Sequence, residues 1–218
     1  DGFLEGVRKI ADKMGIVLVF DEVTSAFRIN GGGIHLTMGI EPDIAVFAKA
    51  MSNGYPMAAI IGREEVMQAA QDTFISSTYW TGRVGPVAAL ATIKKVREQK
   101  VYEHLTKIGE KMTALWQESA KKHSLPLETS GLAPLTHFSI KSEQSQAART
   151  LFTDKMLDRG FLATNSLYAT YAHNENHLEE YGKALDEVFP QVAKALQEGN
   201  VEEQLRTAIA HDGFKRLA

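Results

Sequence analysis

Phe3, Val7, Ile10, Ala11 and Met14 recur at helical spacing and Gly15 follows, which predicts an opening helix closed by a glycine C-cap. The continuous apolar run at 16–20 predicts a strand buried on both faces, as in a parallel sheet. A second strand is expected at 44–48, bounded by Pro42 and Gly54, and a third at 57–61. A short helix is expected over 63–70, then a polar, aromatic, glycine-containing loop over 73–85. Pro86 suits the first residue of a helix running to about Glu98. Strands alternating with helices predict an α/β layer architecture.

Beyond residue 100 the pattern changes. Residues 101–122 read as one long amphipathic helix, and 135–140 alternate like an edge or antiparallel strand. Ser142 is placed to cap a helix carrying Ala148, Leu151, Phe152 and Met156, stopped by Gly160. Short strands are expected at 161–163 and 167–171. Asn174 is placed to cap a further helix with Leu178, Tyr181, Leu185 and Val188 on one face, which Pro190 should kink or restart. Residues 202–218 read as a solvated amphipathic helix. The expectation is therefore part of a parallel-sheet domain over 1–100 and a smaller α+β domain with a helical tail over 101–218.

The 218 residues are 44% hydrophobic and 23% charged, so a packed core is expected. A formal net charge of -3 without a long basic run argues against nucleic acid or an anionic membrane as the main partner. The absence of cysteine excludes disulfides and thiolate metal sites and fits a reducing compartment such as the cytoplasm. The chain opens on Asp1, already close to a helix, so a start inside a longer protein is expected.

Two residues change this picture. Lys49 ends the second apolar run and Asp21 ends the first, in "VFDEV". A strand-end lysine usually extends its amine to water. In open α/β sheets, however, ligands bind beyond the carboxyl ends of the strands, where both side chains would meet if the strands are near neighbours. The two could form a simple ion pair. They could equally hold pyridoxal phosphate, whose aldehyde forms a Schiff base with a lysine and whose ring nitrogen needs a carboxylate partner.

The stretches "LVFDEVTSAFR", "GIEPDIAVFAKAMSNGYPMAAIIG" and "STYWTGRVGPVAALATI" resemble, in order and spacing, consecutive blocks of the class III aminotransferases among the fold-type I pyridoxal-phosphate enzymes. The glutamate-1-semialdehyde aminomutase-like branch is the nearest in flavour, and "GFLATNSLYATYAHNENHLEEY" resembles its small C-terminal domain. The resemblance covers nearly the whole chain but only the last half of a typical member. It implies that Asp21 pairs with the pyridine nitrogen and that Val23 packs on the ring face. It implies Lys49 as the Schiff-base lysine and proton shuttle, a task suited to a depressed pKa. Thr81, five residues before Pro86, matches the phosphate-binding threonine that reaches the cofactor of the neighbouring subunit, so a homodimer is implied. Thr78 is the alternative. The activity implied is amino-group transfer between an amino donor and a keto or aldehyde acceptor, with intramolecular aminomutase activity as the alternative.

The sequence departs from the family at 83–86, "RVGP" in place of "SGNP", and at Tyr168, near which the aminomutases carry a glutamate. The family's glycine-containing phosphate loop and ring-stacking aromatic lie upstream of anything here. A reading of another class is a non-catalytic fragment serving dimerisation or binding. With upstream strands removed, the runs at 16–20 and 44–48 would expose apolar surface, so the chain is expected to need that half beside it.

Other features read more plainly. His173 and His177 in "HNENH" have zinc-pair spacing, but Asn174 stands where a metalloprotease carries glutamate, and cap or surface roles are expected. Gly31–Gly33 read as a flexible loop rather than a dinucleotide motif. Arg28 is either a carboxylate fork for substrate or an ordinary surface arginine. Tyr79 and Trp80 are expected in core or interface, and Glu22 either orients loops or joins the site.

Overall fold

A computed structural model describes residues 2–213, and these divide into two compact units that meet in sequence between His104 and Leu105. The first unit opens with helix α1 (Phe3–Met14), ended by Gly15 in the left-handed conformation, whose backbone N–H returns to Ala11 and Asp12. Strands β1 (Val19–Asp21), β2 (Ile44–Phe47) and β3 (Ala59–Gly62) form one sheet in that order. The β1–β2 pair is parallel, with Asp21 opposite Val46; β3 runs antiparallel to β2. Between β1 and β2 lies the single turn of α2 (His35–Met38). Helices α3 (Glu64–Met67) and α4 (Val84–Glu98) complete the unit. α4 begins two residues ahead of Pro86, which therefore occupies its third position. The missing N–H is still among those that lack an intrahelical partner, so the proline fits.

The expectation of two buried faces holds only in part. β2, the central strand, buries Ala45 and Phe47, while Ile16, Val17 and Val19 in and before β1 stay about half exposed. The cause is position: among the described residues β1 has a strand partner on one side only.

Asp43 joins the pieces of this unit. Its side chain is buried, and one carboxylate oxygen accepts the Leu18 N–H at 2.7 Å and an Arg8 Nη1–H at 2.9 Å. The other oxygen faces Arg63 at 3.3 Å. α1, the entry to β1, the entry to β2 and the exit of β3 therefore converge on one carboxylate. At β3, Gly62 leaves room for this: a Cβ there would lie 2.5 Å from the Asp43 carbonyl oxygen.

The second unit packs α5 (Val101–Lys122), α6 (Ser145–Leu157) and α7 (Glu175–Glu198) around a two-stranded antiparallel sheet, β4 (Leu127–Ser130) and β5 (His137–Ile140). Its core is aromatic: the Phe138 ring lies 5.0 Å from Trp116 and 5.2 Å from Phe152, edge to face. Trp116 donates its indole N–H to the Tyr181 hydroxyl at 3.3 Å, and burial pushes that hydroxyl up to about 12.

Several local expectations change here. β4 carries too few apolar residues to announce itself. Ser142 does not cap α6 but accepts the Gln144 N–H one turn earlier. The segments at 161–163 and 167–171 are not strands. Around them, Asn165, Leu167 and Ala169 trade single backbone bonds with Phe138, Thr136 and Pro134. α7 runs through Pro190 unbroken, because its buried apolar face outweighs one lost backbone bond. The tail is not a helix over 205–213. It is strapped to α6 by the Ala210 N–H on Thr150 Oγ1 and by Gln146 on the Ala210 carbonyl. Residues 214–218 of that expected helix lie outside the described residues.

The Leu18 N–H and Arg8 hold the Asp43 carboxyl below its ordinary value of 3.8, against the opposing effect of burial. A folded-state value below the unfolded one gives stability that is complete above about pH 4 and is lost as pH falls through the folded value. Asp43→Asn should therefore lower the thermal unfolding midpoint at pH 7 and flatten its decline below pH 4. Circular dichroism melts over pH 2.5–7 measure both.

Candidate active site

The parallel pairing of β1 with β2 sets Asp21 and Lys49 at the same, carboxyl end of adjacent strands. Asp21 is exposed, and its Oδ1 accepts the Val23 N–H at 3.0 Å, so the chain turns immediately after β1. That turn carries Val23, half-buried, and Thr24. Lys49 opens a short 3-10 turn, Lys49–Met51, after β2. Its φ is 44°, the left-handed region that lysine rarely occupies. The Asn53 N–H bonds to the Lys49 carbonyl at 3.2 Å, and the Ser52 N–H approaches the same oxygen at 3.4 Å. Lys49 Nζ donates to Thr24 Oγ1 at 2.5 Å. The lysine amine is thus held over the β1 end by a hydroxyl three residues from Asp21.

Beneath this exposed cluster lies a buried one. Glu22, only 1% exposed, accepts from the Ser25 hydroxyl at 2.5 Å, the His35 N–H at 3.0 Å and the His35 ring at 2.9 Å. Burial pushes its carboxyl up most strongly. The Ser25 hydroxyl, the N–H groups of His35 and Ile34 and the His35 ring outweigh that and hold it below the usual carboxylate value. Glu22 therefore orients the loop that closes from 25 to 35. The glycine run is not a slack loop: Asn30 accepts the Gly32 N–H at 2.7 Å and donates to the Gly33 carbonyl at 2.8 Å. A Cβ on Gly33 would fall 2.5 Å from the His35 ring and 3.0 Å from Glu22 Oε1, so glycine is required there. Arg28 turns back to the Thr24 carbonyl through Nε at 3.4 Å.

Asp21, Val23 and Lys49 are brought together with Thr24. Thr81 and Thr78 are exposed in the segment leading into α4, and neither is hydrogen-bonded to that cluster among the described residues. Tyr79 and Trp80 are likewise exposed within this chain. Thr24, Ser25 and His35 were not legible as site residues. His35 lies 13 residues from Glu22 with no periodic relation to it. Ser25, three residues after a strand-end glutamate, is the one detectable signal. In the second unit His177 completes a capping box with Asn174 at the start of α7. Among the described residues no group of three or more histidine, cysteine, aspartate or glutamate side chains could hold a metal, and no helix is long and apolar enough to cross a membrane.

The family model described as "Aminotransferase class-III" matches residues 1–180. The 3-aminobutyryl-CoA aminotransferase of Cloacimonas acidaminovorans is 30% identical over 201 residues, covering 89% of this chain and 49% of that protein. The glutamate-1-semialdehyde 2,1-aminomutase of Methanococcus maripaludis is 27% identical, covering 85% of this chain and 47% of that protein. The structure of the FumI protein of Sphingopyxis sp. MTA144, solved in its PLP internal aldimine form, superposes with a TM-score of 0.83 at 26% identity, covering 89% of this chain and 48% of that one. This chain thus spans about half the length of the relatives it matches, and the aminomutase branch is not singled out among them. With its residues 1–180 matched, the chain belongs to the class III aminotransferase family.

Proposed function

We propose that this chain is the lysine-bearing part of a pyridoxal-phosphate-dependent transaminase, which moves an amino group between an amino donor and a keto or aldehyde acceptor. One observation carries the reading: Lys49 sits in a left-handed backbone conformation at a strand's carboxyl end, with its amine held beside the Asp21 turn. Such a conformation costs about 1–2 kcal/mol for a residue with a Cβ. Strain of this kind persists where the surroundings over-determine it, and it gathers at functional sites.

The donor set fits the cofactor, with a primary amine and a carboxylate exposed at adjacent strand ends. When bound, pyridoxal phosphate supplies an electron sink for the carbon that loses its proton. Asp21 would hold the proton on the ring nitrogen and Val23, half-buried in the same turn, would pack against the ring. Lys49 Nζ would be the group that holds the cofactor and would move the proton to and from the substrate carbon. Thr81, exposed ahead of α4, would hold the phosphate of a neighbouring subunit's cofactor in a homodimer. The cysteine-free composition suits a reducing compartment such as the cytoplasm.

The aminomutase relative keeps a second reading open, intramolecular amino transfer on glutamate 1-semialdehyde. Turnover of that compound with no separate keto-acid acceptor would favour it. Tyr168, near which the aminomutases carry a glutamate, speaks against the aminomutase reading.

The test is to add pyridoxal phosphate, reduce with borohydride and map the modified peptide. The expected result is a single label on Lys49, lost in Lys49→Ala. Label scattered over surface lysines in a chain that melts cooperatively would overturn the reading. Asp21→Asn should keep the label on Lys49 while amino transfer falls by about a hundredfold or more, since a neutral amide stabilises the protonated ring poorly. The backbone strain has its own signature. At most positions alanine is more stable than glycine, but at 49 the order should reverse, with Lys49→Gly more stable than Lys49→Ala by about 1 kcal/mol in urea unfolding.

A further inference from the structure

We propose that Thr24 is a positioning residue for the Lys49 amine; the inference rests on the transaminase reading above. Lysine carries its ammonium on a flexible four-carbon stem, and Lys49 is exposed, so nothing in its own packing fixes where Nζ points. The hydroxyl of Thr24 does so, accepting from Nζ at 2.5 Å.

The hydroxyl can serve as a fixed point because both of its neighbours are tied. On one side the Val23 N–H is bonded to Asp21 Oδ1. On the other, the Ser25 hydroxyl is bonded to buried Glu22, which also grips His35 through backbone and ring. The Thr24 carbonyl receives Arg28 Nε. Threonine is branched at Cβ and stiff about χ1, so a fixed backbone gives a fixed oxygen. The oxygen keeps its own proton while accepting, so the pair needs no change of ionisation at Thr24. The hydrogen bond holds the amine near the end of β1 before reaction and is given up when nitrogen bonds to carbon. Attachment to an aldehyde forms a bond from Nζ to the aldehyde carbon and releases the aldehyde oxygen as water with two hydrogens from the amine. Holding the nucleophile in place favours that directed step over encounters at random.

Two readouts with opposite signs test this on the full chain. The first is the rate of pyridoxal-phosphate attachment to Lys49, followed by visible absorbance and by peptide mass after borohydride. The second needs no cofactor: competitive acetylation by acetic anhydride, comparing Lys49 with the other lysines. Thr24→Val keeps the shape and removes the hydroxyl. It should slow attachment by about tenfold and raise Lys49 acetylation by about threefold, because the amine is released from its acceptor. Thr24→Ser restores the hydroxyl and should bring both values to within about twofold of the parent. Thr24→Ala serves as the hydroxyl-free variant if Thr24→Val melts early. Attachment and acetylation both unchanged in the hydroxyl-free variant would overturn the inference. So would a shift of both in one direction that Thr24→Ser fails to rescue, since that is the mark of a merely structural role. If the parent chain takes no label on Lys49 while acetylation still responds to Thr24→Val, the transaminase reading fails and the positioning contact stands.

Discussion

The first unit depends on a buried carboxylate. Asp43 stands at the entry to β2, where α1, the start of β1 and the end of β3 would otherwise leave a backbone N–H and two guanidinium groups without a common acceptor. A buried N–H without a partner is expensive, so the Leu18 bond in particular fixes how far β1 advances along β2. That advance places Asp21 opposite Val46, so that β1 ends one residue short of the end of β2. A slip of one residue would turn Asp21 to the other face of the sheet.

On that frame the site is built in two layers of opposite character. The lower layer is satisfied and closed: Glu22 is buried, ionised and surrounded by donors. The upper layer is more exposed, with a carboxylate and a hydroxyl in one turn and an amine hydrogen-bonded to that hydroxyl. Buried polar networks rigidify when every member is paired, and this one lends its rigidity to the turn that carries Thr24. The strain at Lys49 belongs to the same division, since a relaxed backbone there would aim the side chain elsewhere.

Much of this was legible in the sequence. The long periodic helices α1, α5 and α7 and the strand at 44–47 stand where the apolar spacing puts them, because each depends on local pattern alone. Asn174 announces the start of α7 for the same reason. Asp21 and Lys49 could be picked out because charged residues ending apolar runs are conspicuous. The direction of β3 could not be read, since alternation and length are the same for either direction. Nor could the partners Thr24, His35 and Asp43, which act through contacts across 13 to 35 residues of chain or through one hydroxyl among many. The 205–213 segment misled for the opposite reason: its composition favours a helix, but tertiary hydrogen bonds to α6 hold it in an irregular path.

Gly33 gives this arrangement a genetic reach beyond its chemistry. Every amino-acid change reachable from a glycine codon by one base introduces a Cβ, and here the Cβ would press on the His35 ring and the Glu22 carboxylate together. The His35 ring has little room to yield, being set edge-on to Phe20 and bonded to Glu22. A collection of destabilised variants from random mutagenesis would therefore include substitutions at Gly33, which supports the turn that holds Lys49 from a different stretch of the gene.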